Sequence, residues 1–396
     1  MATDAIERVN ALGARWGREL DHTVNQAWTA LGVWPLLAAL AAGAAGPART
    51  ELAQALGAPA DQAPAQAREL LELIRRVPGC AAALGVWTAA DAGVEDGWRE
   101  SLDASLWGQL TGDAAKDRAA LDAWARERTG GLVPGLSIEP SGALLVLASA
   151  LTVRTRWARR FHRCRHQPQQ GPWAGLEPLM LEASGPGLFE RLALAETSAG
   201  PVTEVRVAGG GEVDVHLVLG EPGAEPAAVV GAGFELVAGA AERRRLTDLP
   251  DGAPGPGLRL RSVESSEPEH QALLVTAGFE VRVEHDLLAH AGAFGLRAAT
   301  GDGSHFPGIS RTVPLKVGRA GQAATAEFSA AGFEAGAVTE LEVPRGASGS
   351  SARFPVRWAR AAFDRPFAFL AVHRPTGLVL IAGWVAEPGV DADADA

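Results

Sequence analysis

The chain has 396 residues, of which 47% are hydrophobic and 21% are charged, a balance typical of a folded globular protein rather than a disordered one. The net charge of −11 argues against a protein whose whole surface binds nucleic acid. Two cysteines, Cys80 and Cys164, are too few for a disulfide framework, so the hydrophobic core must hold the fold.

The N-terminal segment lacks the basic, apolar and small-residue pattern of a secretory signal, so we expect a cytoplasmic protein. The longest uncharged apolar stretch, residues 32–46, is interrupted by Pro35. It is shorter than the roughly 20 residues that a membrane-spanning helix needs. A core helix is therefore predicted there, and no membrane partner is expected.

Up to residue 130 the pattern is mostly helical, because apolar residues recur at three-to-four spacing over residues 5–18, 36–44, 50–56, 65–76, 97–106 and 115–128. Thr50, Asp113 and Asp117 are predicted helix starts. Residues 143–153 are apolar on both faces and predict a strand in the middle of a covered sheet.

The later part of the chain is richer in strand patterns. Residues 171–257 are predicted to be strands and loops, with one strand at 213–219. Residues 272–283 predict a strand, 286–294 a helix, and 363–386 two strands joined by a turn. Because helices come first and strands last, the order favours an α+β fold over alternating nucleotide-binding units.

No arrangement of residues typical of an enzyme or a metal site is found. Residues 346–350 resemble a nucleophile elbow, but Ser350 stands where that turn requires Gly. His285 and His290 are five residues apart and fall on different faces of a helix, unlike zinc ligands. We therefore expect a protein that is not an enzyme and that has no metal and no cofactor.

Arginines are concentrated between Arg154 and Arg165, with His162 and His166 among them. Their positive charge disfavours a cation site at these histidines. The stretch fits either a solvated strand end or a site for a polyanion, and the first interpretation is favoured. No nucleic-acid partner is expected.

Residues 332–343 alternate cleanly, with one face formed by Phe333, Ala335, Ala337, Thr339, Leu341 and Val343. This pattern predicts a strand with one apolar face. Residues 344–351, which follow, are rich in Gly and Ser, as in loops that proteases cut. A segment able to form a strand thus leads into a cleavable loop.

This arrangement resembles the serpins, serine-protease inhibitors that trap their target by inserting a cleaved loop into a β-sheet. The resemblance covers nearly the whole chain. It is carried by residues 34–37 and 43–48, by 121–124 with 129–133, by 145–150 with Trp157 and Phe161, by 306–310, and by 363–367 with Thr376, Gly377, Gly383 and Pro388. Each motif is weak alone, but together they occur in the family's order.

The resemblance implies one α+β domain, residues 1–390, with about nine helices, three β-sheets and an exposed reactive-centre loop. An acidic, disordered tail is expected at 391–396. The family's hinge, where small residues allow the loop to enter the sheet, corresponds to Gly332, Phe333, Glu334, Ala335, Gly336, Ala337, Val338 and Thr339. Phe333 stands where the family usually has Thr or Ser, and an overpacked Phe is expected to cost about 1–3 kcal/mol on insertion.

The family's gating cluster beneath the sheet corresponds to Trp34, Leu37, Ser149 and Gln322, and the residue types differ from the usual Ser, Ser, Asn and His. Two scissile bonds fit the loop. Counting from Gly332 favours Arg345–Gly346, because Arg suits the acidic pocket of a trypsin-like protease. Arg353–Phe354 is the second choice, since the loop is longer than usual.

The resemblance implies a serine protease inhibitor that acts as a suicide substrate, with a trypsin-like protease as its partner. The alternative is a serpin-fold binding protein that does not inhibit. The altered hinge and gating cluster favour the alternative, whereas the alternation from Phe333 to Val343 favours inhibition.

Overall fold

The structure, a computed structural model, describes residues 2–333 and 353–389. The predicted tail at 391–396 lies outside these residues. Within them the chain forms ten α-helices, one more than the approximate number expected: α1 Ala2–Gly17, α2 Ala30–Gly43, α3 Gly46–Leu56, α4 Ala63–Arg76, α5 Asp96–Ser101, α6 Ala114–Arg128, α7 Pro186–Phe189, α8 Pro226–Val237, α9 Ala291–Phe294 and α10 Arg297–Thr300. Short 3₁₀ turns lie at Ala104–Leu106, Leu246–Asp248 and Leu287–His290.

The predicted helix starts are partly confirmed. The Asp113 side chain accepts hydrogen bonds from Ala115 N and Lys116 N and caps α6. Thr50 was a wrong choice, because α3 begins at Gly46 with Pro47 in its first turn. Asp117 was also wrong: it lies inside α6, and its carboxylate accepts hydrogen bonds from Thr111 N and Gly112 N of the preceding loop.

Twenty strands lie in the same part of the chain: β1 Gln26–Trp28, β2 Cys80–Ala89, β3 Trp107–Leu110, β4 Leu145–Val153, β5 Thr155–Arg156, β6 His162–Cys164, β7 Met180–Gly185, β8 Leu192–Thr197, β9 Gly200–Ala208, β10 Val213–Leu219, β11 Glu242–Arg244, β12 Gly252–Gly255, β13 Leu258–Ser265, β14 Gln271–Ala277, β15 Phe279–Asp286, β16 Arg319–Phe328, β17 Gly332–Phe333, β18 Phe354–Phe363, β19 Phe367–His373 and β20 Leu378–Val385.

These strands form three sheets, as the resemblance implied. The main sheet has the order β3-β2-β4-β16-β17-β5, with β15 also paired to β16. The second sheet runs β1-β20-β19-β10-β9-β8-β11, and the third runs β12-β13-β18-β14-β7-β6. Every residue of β4 is buried, which confirms the predicted central strand.

Helix α2 passes through the core behind the main sheet. Its residues from Ala30 to Ala41 are all buried, as expected for a helix that is apolar on every face. The Thr29 hydroxyl caps it by accepting a hydrogen bond from Gly32 N. None of the described helices is long and apolar enough to span a membrane.

Two sequence predictions were wrong about the strand region. The single strand predicted over 272–283 is two strands, β14 in the third sheet and β15 in the main sheet, separated at Gly278. The region 171–257 contains α8, whose apolar and glycine-rich sequence was read as strand and loop. Helix α8 forms because it packs on α1 and on β19 and β10, and such tertiary contacts override weak helical propensity.

A buried carboxylate stabilises the second sheet. Glu204 of β9 is fully buried and accepts hydrogen bonds from His216 Nδ1 at 2.8 Å and from Arg243 Nε at 2.6 Å. Burial disfavours the ionised form, but the hydrogen bonds from His216 and Arg243 outweigh this and lower the pKa of Glu204 to about 2 from its ordinary value of 4.5.

This pKa predicts an acid-dependent loss of stability. Because the folded-state pKa is lowered, the contribution is present above pH 4.5 and is lost as the pH falls toward 2; its size is about 3 kcal/mol. Urea unfolding at a series of pH values should therefore show that the free energy of unfolding falls more steeply with decreasing pH in the wild type than in Glu204→Gln. Glu72→Gln, at an exposed pair, should behave as the wild type. Parallel curves for the wild type and Glu204→Gln would contradict the assignment.

Candidate functional site

The predicted hinge begins inside the main sheet. The parallel strands β4 and β16 pair from Val146 and Arg319 as far as Leu151 and Ala324. Beyond that point no pairing between β4 and β16 is present, and β17 lies between β16 and β5, the short strand that follows β4. Phe333 pairs with Phe328 of β16 on one side and with Thr155 of β5 on the other. The first hinge residues are thus already a strand at this end of the sheet.

Phe333 occupies an aromatic pocket. The side chain is completely buried, and its ring centroid lies 6.0 Å from that of Phe369 in the second sheet. The neighbouring Phe328 ring packs on Trp157 at 4.6 Å and on Phe279 at 5.6 Å. The ring is buried before any cleavage, so the overpacking expected from the sequence is not a barrier that insertion still has to overcome.

Gly332 is required by the close approach of a neighbouring strand. A Cβ atom added at this residue would lie 2.5 Å from the Thr155 carbonyl oxygen, closer than van der Waals contact allows. Any larger residue would therefore push β17 away from β5. This is a structural reason for the glycine, in addition to the flexibility that a hinge needs.

The turn between β16 and β17 is fastened to the segment after β5. Trp157 Nε1 donates a hydrogen bond to the Ser329 carbonyl at 2.8 Å. The backbone N–H groups of Trp157 and Phe161 donate to the carbonyls of Ala331 and Ala330, at 3.2 and 3.0 Å. The turn that leads into the predicted hinge is therefore held by three hydrogen bonds.

Two members of the predicted gating cluster are in contact. Ser149 of β4 and Gln322 of β16 face each other in the ladder, and Gln322 Nε2 lies 3.3 Å from Ser149 Oγ. The Gln322 side chain also donates to the Thr29 carbonyl at 2.9 Å and accepts from Thr29 N at 2.8 Å. The sequence reasoning missed Thr29, which ties the main sheet to the start of α2.

The other two members are buried in α2 but make no hydrogen bond to this pair among the described residues. Trp34 Nε1 donates to the Leu56 carbonyl of α3 at 3.2 Å, and Leu37 is completely buried. The close packing of α2 against the sheet is visible at Gly32, where an added Cβ would lie 2.4 Å from Ser149 Oγ. Trp34 and Leu37 therefore act as core residues here.

The two candidate scissile bonds fall in different places. Arg345 and Gly346 lie outside the described residues, as do the hinge positions from Glu334 to Thr339. Arg353 is exposed, and its guanidinium lies 3.2 Å from Glu264 Oε2. Phe354 is the first residue of β18, where it pairs with Ser265 of β13.

Three of the histidines considered as metal ligands have partners in the structure. His285 Nε2 donates to the Ala27 carbonyl at 2.8 Å, and His290 faces Glu19. His166 lies between Asp364 and Arg360. No group of three ligand-type residues suited to a metal ion occurs within residues 2–333 and 353–389.

The family to which the chain belongs follows from its sequence. The sequence model of the family described as "Serpin (serine protease inhibitor)" matches residues 7–170 and 259–388, about three quarters of the chain. The chain belongs to the serpin family. No curated protein is significantly similar to this serpin in sequence.

Solved structures share the fold over almost the whole chain. Thyroxine-binding globulin in complex with thyroxine has a TM-score of 0.68 at 15% identity, covering 97% of this serpin and 99% of that chain. Mouse protein-Z dependent protease inhibitor has a TM-score of 0.71 at 12% sequence identity, and the match covers 98% of each chain. Serpin48 of the insect Tenebrio molitor, described as a highly specific serpin, has a TM-score of 0.69 at 15% sequence identity, and the match covers 97% of each chain. At these identities the likeness establishes the fold.

The buried state of Phe333 can be tested directly. Phe333→Ala is expected to lower the free energy of unfolding by about 3 kcal/mol, because a buried aromatic ring is lost and a cavity remains. Phe354→Ala is the matched control: the same atoms are removed from a ring that is 38% exposed, so the effect should stay below about 1 kcal/mol. Urea unfolding measures both, and equal effects would mean that the pocket does not hold the Phe333 ring.

Proposed function

We propose that this serpin inhibits a trypsin-like serine protease as a suicide substrate, with cleavage at Arg345–Gly346 followed by insertion of the freed segment into the main sheet. The observation that carries the proposal is the position of β17 between β16 and β5. No pairing between β4 and β16 is present at this end of the sheet, and Phe333 already forms part of a strand there, which supports entry of the residues that follow it. The name of the mouse neighbour, a protease inhibitor, supports the same class of function.

The target protease supplies the catalytic groups for the proposed reaction. The protease serine attacks the Arg345 carbonyl carbon, the bond to Gly346 nitrogen breaks, and an ester joins Arg345 to the protease. Water would then hydrolyse the ester unless the geometry of the protease site is disturbed first. Inhibition is therefore a race in which about 1.4 kcal/mol on the insertion barrier changes the rate tenfold.

The free-energy cost of insertion follows from the pairing between β4 and β16. Continuing β17 between β4 and β16 must break their pairing from Arg319 to Ala324 and the contact of Gln322 with Ser149. Each lost hydrogen bond costs about 1 kcal/mol, but the new strand forms ladders on both of its sides. Insertion thus replaces one ladder with two, and the equilibrium favours the inserted state.

The start of β18 supports Arg345 over Arg353. A protease binds its substrate as an extended chain on both sides of the scissile bond, so the residues after that bond must be free to enter the cleft. Phe354 to Ala361 are paired with β13, and β18 is also paired with β14 from Trp358 onward. Cleavage after Arg353 would require the start of β18 to separate from β13.

The proposal is tested by mixing the protein with trypsin and examining the products on a denaturing gel. A band at the summed mass of inhibitor and protease, resistant to boiling in detergent, is the expected result. Trypsin with its catalytic serine replaced by alanine is the control and should give no such band. Complete digestion to fragments without the band would overturn the inhibitor function.

The binding-protein alternative is favoured by one observation, the double hydrogen bond between Gln322 and Thr29. This contact fastens β16 to α2 and would slow the opening that insertion requires. The neighbour that binds thyroxine supports a role of this class for the fold. The gel experiment separates the two functions, because only an inhibitor forms the covalent complex.

A further inference from the structure

A cavity of about 440 Å³ opens between the end of α1 and the segment that follows β15. Arg15 and Glu19 line one side, and the opposite side runs from Leu288 to Ala293 and ends at Arg297. These residues follow Asp286, which pairs with Gly321, whereas the hinge pairs with Phe328 at the other end of β16. The cavity is therefore remote from the predicted hinge.

The charged groups of the cavity are mainly cationic. Arg15 is partly buried and donates a hydrogen bond to the Ala55 carbonyl, which uses one nitrogen of its guanidinium and fixes its position. Burial and the nearby Arg18 lower the pKa of Arg15, and the negative charge of Glu19 offsets them only in part. Among the described residues, Glu19 is the one carboxylate that lines the cavity, and it lies 3.4 Å from His290 Nδ1.

Arg297 is an exposed residue that lines the cavity, and it has no counter-ion among the described residues. Its guanidinium has no hydrogen-bond or ion-pair partner among residues 2–333 and 353–389. Gly292 makes this position accessible, because a Cβ atom there would lie 2.6 Å from Arg297 Nη2. Two guanidinium groups thus line one cavity, and the rest of its described wall consists of the Glu19–His290 pair, Leu288 and small residues.

We propose that this cavity binds a small organic phosphate. The planar guanidinium donors of Arg15 and Arg297 fit the oxygens of a tetrahedral oxyanion. The volume exceeds that of the oxyanion alone, so Leu288 and the alanines contact the organic group. The site is independent of the proposed inhibitory function.

Calorimetric titration of the full-length protein with phenyl phosphate tests the proposal, with inorganic phosphate as the second probe. Phenyl phosphate should bind with a dissociation constant below about 1 mM and more tightly than inorganic phosphate. Arg297→Gln should weaken binding at least about tenfold, since a charge-assisted pair is lost. Arg282→Gln, an exposed arginine in β15 with the same charge change, is the control and should leave binding unchanged.

Gly292→Ala separates geometry from charge. This variant retains both arginines, and the added methyl group displaces only the Arg297 guanidinium, so the fold should be unaffected. Binding should weaken as it does in Arg297→Gln. Three results would each overturn the proposal. The first is no binding of phenyl phosphate up to about 10 mM, and the second is unchanged binding in both Arg297→Gln and Gly292→Ala. The third is an equal loss of binding in Arg282→Gln.

Discussion

Cleavage within residues 344–351 is expected to raise the melting temperature of this serpin by about 10 °C or more. In the intact chain, residues 334–353 connect β17 to β18, and by the proposed mechanism this connection must be cut before they can extend β17. Cutting the loop removes the tether, and the new ladders and buried apolar face contribute on the order of 10 kcal/mol. Thermal melts before and after limited proteolysis measure the effect.

The control for this prediction is Ala335→Arg. By alternation from Phe333, residue 335 faces the same side of the inserted strand, so the variant would bury an unpaired charge. Cleavage should raise the melting temperature of this variant much less than that of the wild type. A melting temperature that falls or stays constant after cleavage of the wild type would mean that the loop does not insert, and would favour the binding-protein function.

Arg345→Ala is expected to reduce inhibition of trypsin by at least about a thousandfold, because a pocket built around an acidic group discriminates strongly against a side chain that cannot pair with it. Arg353→Ala is the matched control and should change inhibition by less than about twofold, since only the exposed pair with Glu264 is lost. Both rates are measured from residual trypsin activity.

The cleaved bond can also be identified directly by sequencing the product. N-terminal sequencing of the released C-terminal fragment should begin at Gly346. A fragment that begins at Phe354 would show that the protease cuts at the start of β18, and that the pairing of β18 with β13 does not protect this bond.

Strong local patterns predicted much of the architecture. The run over 143–153 is apolar on both faces, a pattern that fits a covered strand, and β4 confirms that prediction. Likewise β10 spans the predicted residues Val213 to Leu219. The split at Gly278 was not predictable, because alternation continues through it and gives no sign that β14 and β15 join different sheets.

The site was less predictable, because its contacts involve backbone atoms and distant segments. The resemblance placed Ser149 and Gln322 in one cluster, but Thr29 takes part through its backbone N–H and carbonyl, which no side-chain pattern reveals. The cavity was missed for a similar reason. Arg15 and Arg297 are far apart in the chain, and only the packing of α1 against the residues after β15 brings them together.

The bond from Trp157 to the Ser329 carbonyl gives the protein an internal optical probe. The sequence contains eleven Trp and no Tyr, so ultraviolet emission arises from indole almost alone. Trp157 contacts Phe328 next to β17, and its hydrogen-bond acceptor lies in the turn that precedes β17. Loop insertion should therefore shift its emission. The difference between the wild type and Trp157→Phe would follow insertion in real time without an attached dye.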